Sequence, residues 1–461
     1  MLTTKEAAEA LGISARRVIA LIEAGDLRAQ RFGRAWMIDE ASVQERLKVP
    51  RLTGRPKLGE RNPGKLWRYT LMNRNHAVFD LVYNSGNHTV GEVTIREGID
   101  YAPLGTMSRP GHPTPGQTSD WLSNRYIPTV RPRLKEALRE FAVEHQVQLL
   151  FASYGLNLSD QYWFAPEGTT LDWHDINYFE NGYDDVLGRS LSDENDVLAH
   201  PPTTSPSSGT PGVLPKWWER RKGTDVLIKG GDLNNREPYN ELLATRLYET
   251  LLDKNDFTPY SLEISATTGR PFSICPCFID SSTELVTMYD VMSCFAHEHQ
   301  RYDYWRYRDT CLQLGVLDIE RQLAKLIVCD FLTANPDRHD RNLGLIREVE
   351  TLTFTRVAPI FDNGRAFYYA AQRPDELLQR LFFYQSTPFS EYPLAQLALV
   401  EDYDWYEPDR LNGFTNTIRE TLAANSRLPE PLIEAMAIQF DRRLQRVNEA
   451  AAEHRPLSLP V

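Results

Sequence analysis

The run Asn335-Pro336-Asp337-Arg338-His339-Asp340-Arg341-Asn342 constrains this chain more than any other segment. Before it, residues 317–331 read as an amphipathic helix with Leu323, Leu326, Ile327 and Phe331 on the inner side, Asp330 beside them. After it, Leu343 to Ile346 is apolar again. A polar run that short between two apolar stretches predicts a loop pinned between buried elements, although a solvated turn has the same composition. Asp337 and Asn342 stand five apart. One short loop then presents a carboxylate that can take a proton from a nucleophile and an amide oxygen that can coordinate a metal.

Three further signals flank this loop in a fixed order. Residues 203–212 (TTSPSSGTPG) form a small-residue stretch ahead of a predicted strand, residues 225–228, which ends at Lys229. Backbone N–H groups and hydroxyls in such a stretch can cradle phosphate oxygens, and a strand-borne ammonium can neutralise them. A helix predicted over residues 239–252 carries Glu241 in its first turn and Leu243, Leu247 and Leu251 on one stripe, so Glu241 can face Lys229. A strand predicted over residues 352–360 delivers Phe361-Asp362-Asn363-Gly364, where an aspartate beside a flexible glycine suits metal and phosphate. Singly, each has an ordinary explanation: a surface linker, a solvated lysine, a helix-dipole carboxylate, a β-turn. Their order makes them a set.

That set, from the loop through VLIK, Asn240-Glu241, NPDRHDRNLG and FDNG, resembles the HipA-like kinases, whose catalytic core is related to protein and phosphoinositide kinases. The resemblance runs from about Phe79 to the C-terminus and implies an α+β, bilobal, protein-kinase-like fold using ATP and Mg²⁺ on serine or threonine of a protein substrate. Residue by residue it implies Asp337 as general base, Asn342 and Asp362 as Mg²⁺ ligands, Lys229 on ATP and Glu241 as its partner. His339 would lie near the γ-phosphate or support the loop. Ser207, Ser208 and Gly209 would meet the phosphates, and Phe278 and Ile279 the adenine. Ser205, Ser207 and Ser208 are candidates for the autophosphorylation that marks the family. A transcription regulator whose kinase fold only senses nucleotide is the alternative, opposed by the intact Lys229, Asp337, Asn342 and Asp362. A small-molecule phosphotransferase would use the same groups.

Charge separates the N-terminus from the rest. Residues 1–68 hold fourteen Lys or Arg against eight Asp or Glu, leaving 37 against 55 for the remainder. A head of +6 on a body of −18 places any contact with double-stranded DNA at the head. There Thr3 and Thr4 open a helix that Gly12 ends, and Ser14 opens a second that Gly25 ends. Two short strands around Gly33 and a closing helix over residues 39–47 follow. The unit resembles the winged helix-turn-helix of excisionase and MerR-like families, which implies Ser14, Arg16 and Arg17 in the major groove and Arg31 and Arg34 on the wing. In the best-known HipA-like systems a separate antitoxin carries the DNA-binding domain, so this fused head puts toxin behaviour in question.

The expected domains are 1–48 (winged helix-turn-helix), 49–75 (basic Pro/Gly linker), 76–280 (N-lobe with a β subdomain) and 281–461 (mostly helical C-lobe). The aromatic segment 155–188 lacks the interleaved cations of a nucleic-acid platform and reads as packed structure. Five cysteines without paired metal spacing read as free, mostly buried thiols. With no apolar run of membrane length and no basic-apolar leader, a cytoplasmic location is expected.

Overall fold

The computed structural model describes residues 1–11, 18–19, 21–22, 27–32, 35–48, 64–192, 203–232, 234–296, 300, 302–379 and 384–454. The chain divides into two units, Met1–Pro63 and Gly64–Val461. In the first, Thr3 caps the helix Thr4–Leu11: its Oγ1 accepts from the Glu6 backbone N–H at 3.3 Å, and Glu6 Oε2 accepts from the Thr3 N–H at 2.7 Å. Strands Ala29–Phe32 and Ala35–Ile38 form the expected hairpin, and Leu2–Thr3 adds a third strand that the sequence did not announce. The helix Glu40–Lys48 closes the unit over Ala7, Leu11, Val18, Leu27 and Val43.

The second unit begins earlier than the composition implies. The expected linker, 49–75, includes the strand Leu66–Asn73, which pairs with His76–Asn84 on one side and Tyr162–Pro166 on the other. The Pro/Gly-rich composition ends at Lys65, and LWRYTLMN alternates inward and outward as a strand must. Thr89–Ile95 completes this antiparallel four-stranded sheet, whose hairpin turns at residues 85–88 as expected. The aromatic segment is structural: Trp163, Trp173 and Tyr178 are buried together.

A second four-stranded sheet runs Ser261–Ile264, Pro271–Pro276, Thr224–Gly230, Lys216–Arg221 in spatial order, all antiparallel. The helix Arg236–Leu251 packs on it. This helix starts three residues ahead of the predicted start, so Glu237 occupies the first turn and Glu241 the second. A third sheet, Thr283–Thr287, Gly344–Glu348 and Phe354–Val357, leads into a largely helical region containing Ile319–Thr333, Phe414–Ala423 and Glu430–His454. One apolar core connects Leu71 and Phe79 to Leu243 and Leu247 and on to Leu323, Ile327 and Phe440. The architecture is α+β.

Two expectations shift locally. The strand predicted over 352–360 is Phe354–Val357 followed by an isolated bridge from Ile360 to Phe257. The loop predicted over 109–118 becomes helical at Pro115–Ser123, with Thr114 as its cap. The five cysteines are free and four are buried. Among the described residues no helix is long and apolar enough to cross a membrane.

A buried ion pair within the third sheet reaches the first sheet through Tyr162. Arg347 Nε donates to Glu284 Oε1 at 2.6 Å and Arg347 Nη2 to Tyr162 Oη at 2.8 Å, with Arg347 3% and Glu284 0% exposed. Removing the cation leaves a buried carboxylate uncompensated, so Arg347→Met should cost about 3–5 kcal/mol. Adding Glu284→Gln should recover much of that loss. Urea unfolding measures both, and a single-variant loss below about 1 kcal/mol contradicts the role given to this pair.

Candidate active site

The helix Ile319–Thr333 ends because Ala334 adopts a left-handed conformation, φ 50°. The next residues fold on their own backbone. Asn335 donates to Asp330 through both its N–H (2.9 Å, to the carbonyl) and Nδ2 (3.0 Å, to Oδ1). The Asp337 N–H donates to Asn335 Oδ1 at 3.0 Å, and the His339 N–H to the Asp337 carbonyl at 2.8 Å. Asn342 Nδ2 donates to the same carbonyl at 2.9 Å, which commits the amide nitrogen and turns Oδ1 to the opposite side. Gly344 then starts the next strand where an added Cβ would lie 2.4 Å from the Val286 carbonyl oxygen, so only glycine fits.

Arg338 locks this loop to its neighbours. It is 0% exposed; Nε and Nη2 donate to the Asp330 carboxylate (2.9 and 3.0 Å), Nη1 to the Asn342 carbonyl (2.9 Å) and to the Phe361 carbonyl, and Nη2 to Asn363 Oδ1 (2.6 Å). One guanidinium thereby ties the end of the helix, the Asp337–Asn342 loop and the Asp362 segment together.

Lys229, near the end of the strand Thr224–Gly230, donates to Glu241 Oε1 at 2.7 Å and to Asp362 Oδ1 at 2.6 Å. Glu241 Oε2 accepts from the Asn363 N–H at 2.9 Å, and Asn240 Nδ2 donates to the carbonyls of Gly364 and Ala366 at 2.9 and 2.8 Å. Glu241 is therefore an acceptor fixed from two sides rather than a loose helix-dipole carboxylate. Asp362 has φ 58°, a conformation held by these partners against its own preference. Burial opposes charge on Lys229, but Asp362 and Glu241 outweigh it and hold the ammonium above the usual lysine range. Burial likewise opposes charge on Asp362, yet Lys229 and Lys216 keep it well below the usual carboxylate range. Burial pushes Asp337 above that range, with Arg365 pulling the other way.

The remaining sequence-predicted residues divide. Phe278 lies against Phe361, ring centroids 5.4 Å apart, and Ile279 is buried with Ile346 and Ala358, so both adjoin the Asp362 segment. His339 is exposed, and its Nδ1 accepts from the Arg341 N–H at 3.2 Å, so it braces the loop. The serines differ from an open phosphate cradle: Ser205, Ser207 and Ser208 are all 0% exposed, around a tight turn over Pro206–Gly209. Ser207 Oγ donates to Asp185 Oδ2 at 2.6 Å, Ser205 Oγ to the Asp184 carbonyl at 3.1 Å and Ser208 Oγ to the Ser205 carbonyl at 2.9 Å. Arg31 is exposed, its guanidinium 5.7 Å from the Trp36 ring centre, whereas Ser14, Arg16, Arg17 and Arg34 lie outside the described residues.

Sequence reasoning missed Arg338, Asp185 and Lys216. Lys216 stands directly across the sheet from Lys229 and is 8% exposed, with Nζ donating to the Pro211 carbonyl at 3.0 Å. Directly opposed residues share a face, so the spacing of the two strands was the available signal. Burial, with Arg131 and Lys229 nearby, pushes Lys216 down to about 7. A separate cavity of about 670 Å³ lies on the first sheet, lined by Arg68, Thr70, Asp80, Arg96 and Trp163, and contains none of these groups.

Residues 1–48 match the family described as helix-turn-helix domain. No curated protein matches the chain. Among solved structures it is similar to the Helicobacter pylori proinflammatory kinase CtkA, at 17% identity over 53% of this chain and 95% of that one, TM-score 0.40. It is also similar to a chain of the toxin-antitoxin complex of HipA, HipB and operator DNA from Shewanella oneidensis, at 16% identity over 85% of this chain and 100% of that one, TM-score 0.48. The golgi casein kinase matches at 14% identity over 54% and 71%, TM-score 0.28.

Proposed function

We propose that this chain is an ATP- and Mg²⁺-dependent phosphotransferase acting on serine or threonine hydroxyls of a protein, with a DNA-binding head. The observation that carries the reading is the clasp of Lys229 between Glu241 and Asp362, joined through Arg338 to the Asp337–Asn342 loop. Five groups of the kind that phosphoryl transfer uses then lie on four elements tied to one another.

Lys229 receives the nucleotide phosphates, and Glu241 keeps its ammonium oriented and charged. Phe278 and Ile279 border the adenine. Asp362, ionised, and the outward-turned Oδ1 of Asn342 are the hard oxygen donors that suit Mg²⁺, so the residues fit the ion. When bound, Mg²⁺ supplies neutralisation of phosphate charge. Asp337 takes the proton of the acceptor hydroxyl. Its raised affinity for a proton makes it a better base than a solvated aspartate. Lys216, across from Lys229, adds a second cation whose charge an approaching phosphate would restore.

Autophosphorylation at Ser207 or Ser208 requires the turn over Pro206–Gly209 to come out, because both hydroxyls are bonded inward. A group of nearly two negative charges could not return beside Asp185. The modified chain would then be switched off. The head is read as DNA-binding from its helix-turn-helix match and from the +6 charge of residues 1–68.

Incubation with Mg²⁺-ATP followed by phosphosite mass spectrometry tests the catalytic assignment. Asp337→Ala should lower transfer at least about a hundredfold while ATP still binds. Asp362→Ala should lose transfer and Mg²⁺-ATP affinity together. Wild-type phosphorylation by either variant removes the assignment. For the head, residues 1–63 should bind duplex DNA with steep salt dependence and residues 64–461 should not. Paired Arg16→Ala and Arg17→Ala should weaken binding by the full chain. Equal gel retardation by the headless fragment overturns it.

A further inference from the structure

Three residues beyond Asp362, in Asp362-Asn363-Gly364-Arg365, an arginine stands at the mouth of the site without a structural explanation. Arg365 Nε lies 3.8 Å from Asp337 Oδ2, with the two side chains 36% and 34% exposed. That distance exceeds a hydrogen bond, so the pair leaves the guanidinium donors uncommitted. A long, partly solvated pair of this kind adds little to stability. Arg338 shows the contrast: it is fully buried, and its donors are engaged by the fold. Among the described residues, the Arg365 guanidinium is steadied on one side, by the Tyr369 ring 5.4 Å away.

We propose that Arg365 is a catalytic residue that contacts the phosphoryl group during its transfer. This rests on the reading of Asp337 as the base. In that reaction the acceptor oxygen forms a bond to the γ-phosphorus while the bond from phosphorus to the bridging oxygen breaks. The hydroxyl proton passes to Asp337, and ADP leaves with the bridging oxygen. The acceptor oxygen must sit within about 3 Å of both the Asp337 carboxylate and the phosphorus. A guanidinium 3.8 Å from the same carboxylate reaches the non-bridging oxygens of the phosphoryl group from there. Its planar fork matches two of those oxygens at once, in the planar, equatorial arrangement that they adopt while the group is between its two partners. The contact therefore favours the transition state over bound ATP. Gly364 precedes it in the chain, and the Asn240 bonds to the carbonyls of Gly364 and Ala366 fix the backbone on both sides of Arg365.

The test uses the full chain with Arg365→Ala and Arg365→Lys, whose partly solvated position leaves thermal melting near wild type. Calorimetry with Mg²⁺-ADP alone, then with fluoroaluminate as a mimic of the planar phosphoryl group, reads the contact without turnover. Wild type should bind ADP with fluoroaluminate more tightly than ADP. Arg365→Ala should keep its ADP affinity within about twofold and lose that gain. In transfer assays its kcat should fall about a hundredfold or more with KM for ATP little changed, and Arg365→Lys should recover part of the loss. Wild-type tightening by fluoroaluminate in Arg365→Ala overturns the proposal, as does an unchanged kcat. Because the calorimetric arm needs no acceptor, tightening that depends on Arg365 in a chain without protein phosphorylation supports the contact and counts against the acceptor assigned above.

Discussion

A wholly buried guanidinium holds this molecule's chemistry in place. Arg338 is surrounded by the Asp330 carboxylate, the carbonyls of Asn342 and Phe361 and the side chain of Asn363. The partners come from three places in the chain: the end of a helix, the end of a loop, and the segment after the third sheet. Burying the charge is costly, and the cost is offset only when all partners are present with good geometry. The same requirement makes the arrangement specific, since displacing any partner would leave a buried donor or carboxylate unsatisfied. Asp337 and Asp362 inherit their positions from it.

A second electrostatic arrangement is built on the first. Lys229 faces two carboxylates, Glu241 and Asp362, so the trio carries an excess negative charge inside the protein. Burial opposes charge on Asp362, and Lys229, then Lys216 and Arg338, favour its ionised form. Glu241, 1% exposed, stays with the lysine, whereas Asp362, 34% exposed, is the partner that can turn to a metal.

The residues that converge here were legible because each closes or opens an element. Lys229 lies near the end of a strand, Asp337 follows a helix, Asn342 precedes a strand, and Asp362 follows one, so periodicity and punctuation locate them. Arg338 was not legible: an arginine among aspartates in a loop looks solvated, and its burial depends on Phe361 and Asn363, far along the chain. The serine turn failed for a similar reason. Ser/Pro/Gly composition predicts exposure, but Asp185 supplies an inward acceptor for Ser207. The strand Leu66–Asn73 was absorbed into the linker because the basic, Pro/Gly-rich segment abuts it, and a composition window blurs a boundary that the alternation of LWRYTLMN makes sharp.

Under the proposed function, Mg²⁺ and nucleotide meet between Lys229 and the Asn342–Asp362 pair. A crystal structure of the full chain with Mn²⁺ and a non-hydrolysable ATP analogue, read by anomalous scattering, decides this. A manganese peak bound by Asn342 Oδ1 and the Asp362 carboxylate, with the triphosphate against Lys229, is the expected result. Manganese held by other side chains, or a nucleotide seated away from Lys229, would contradict it.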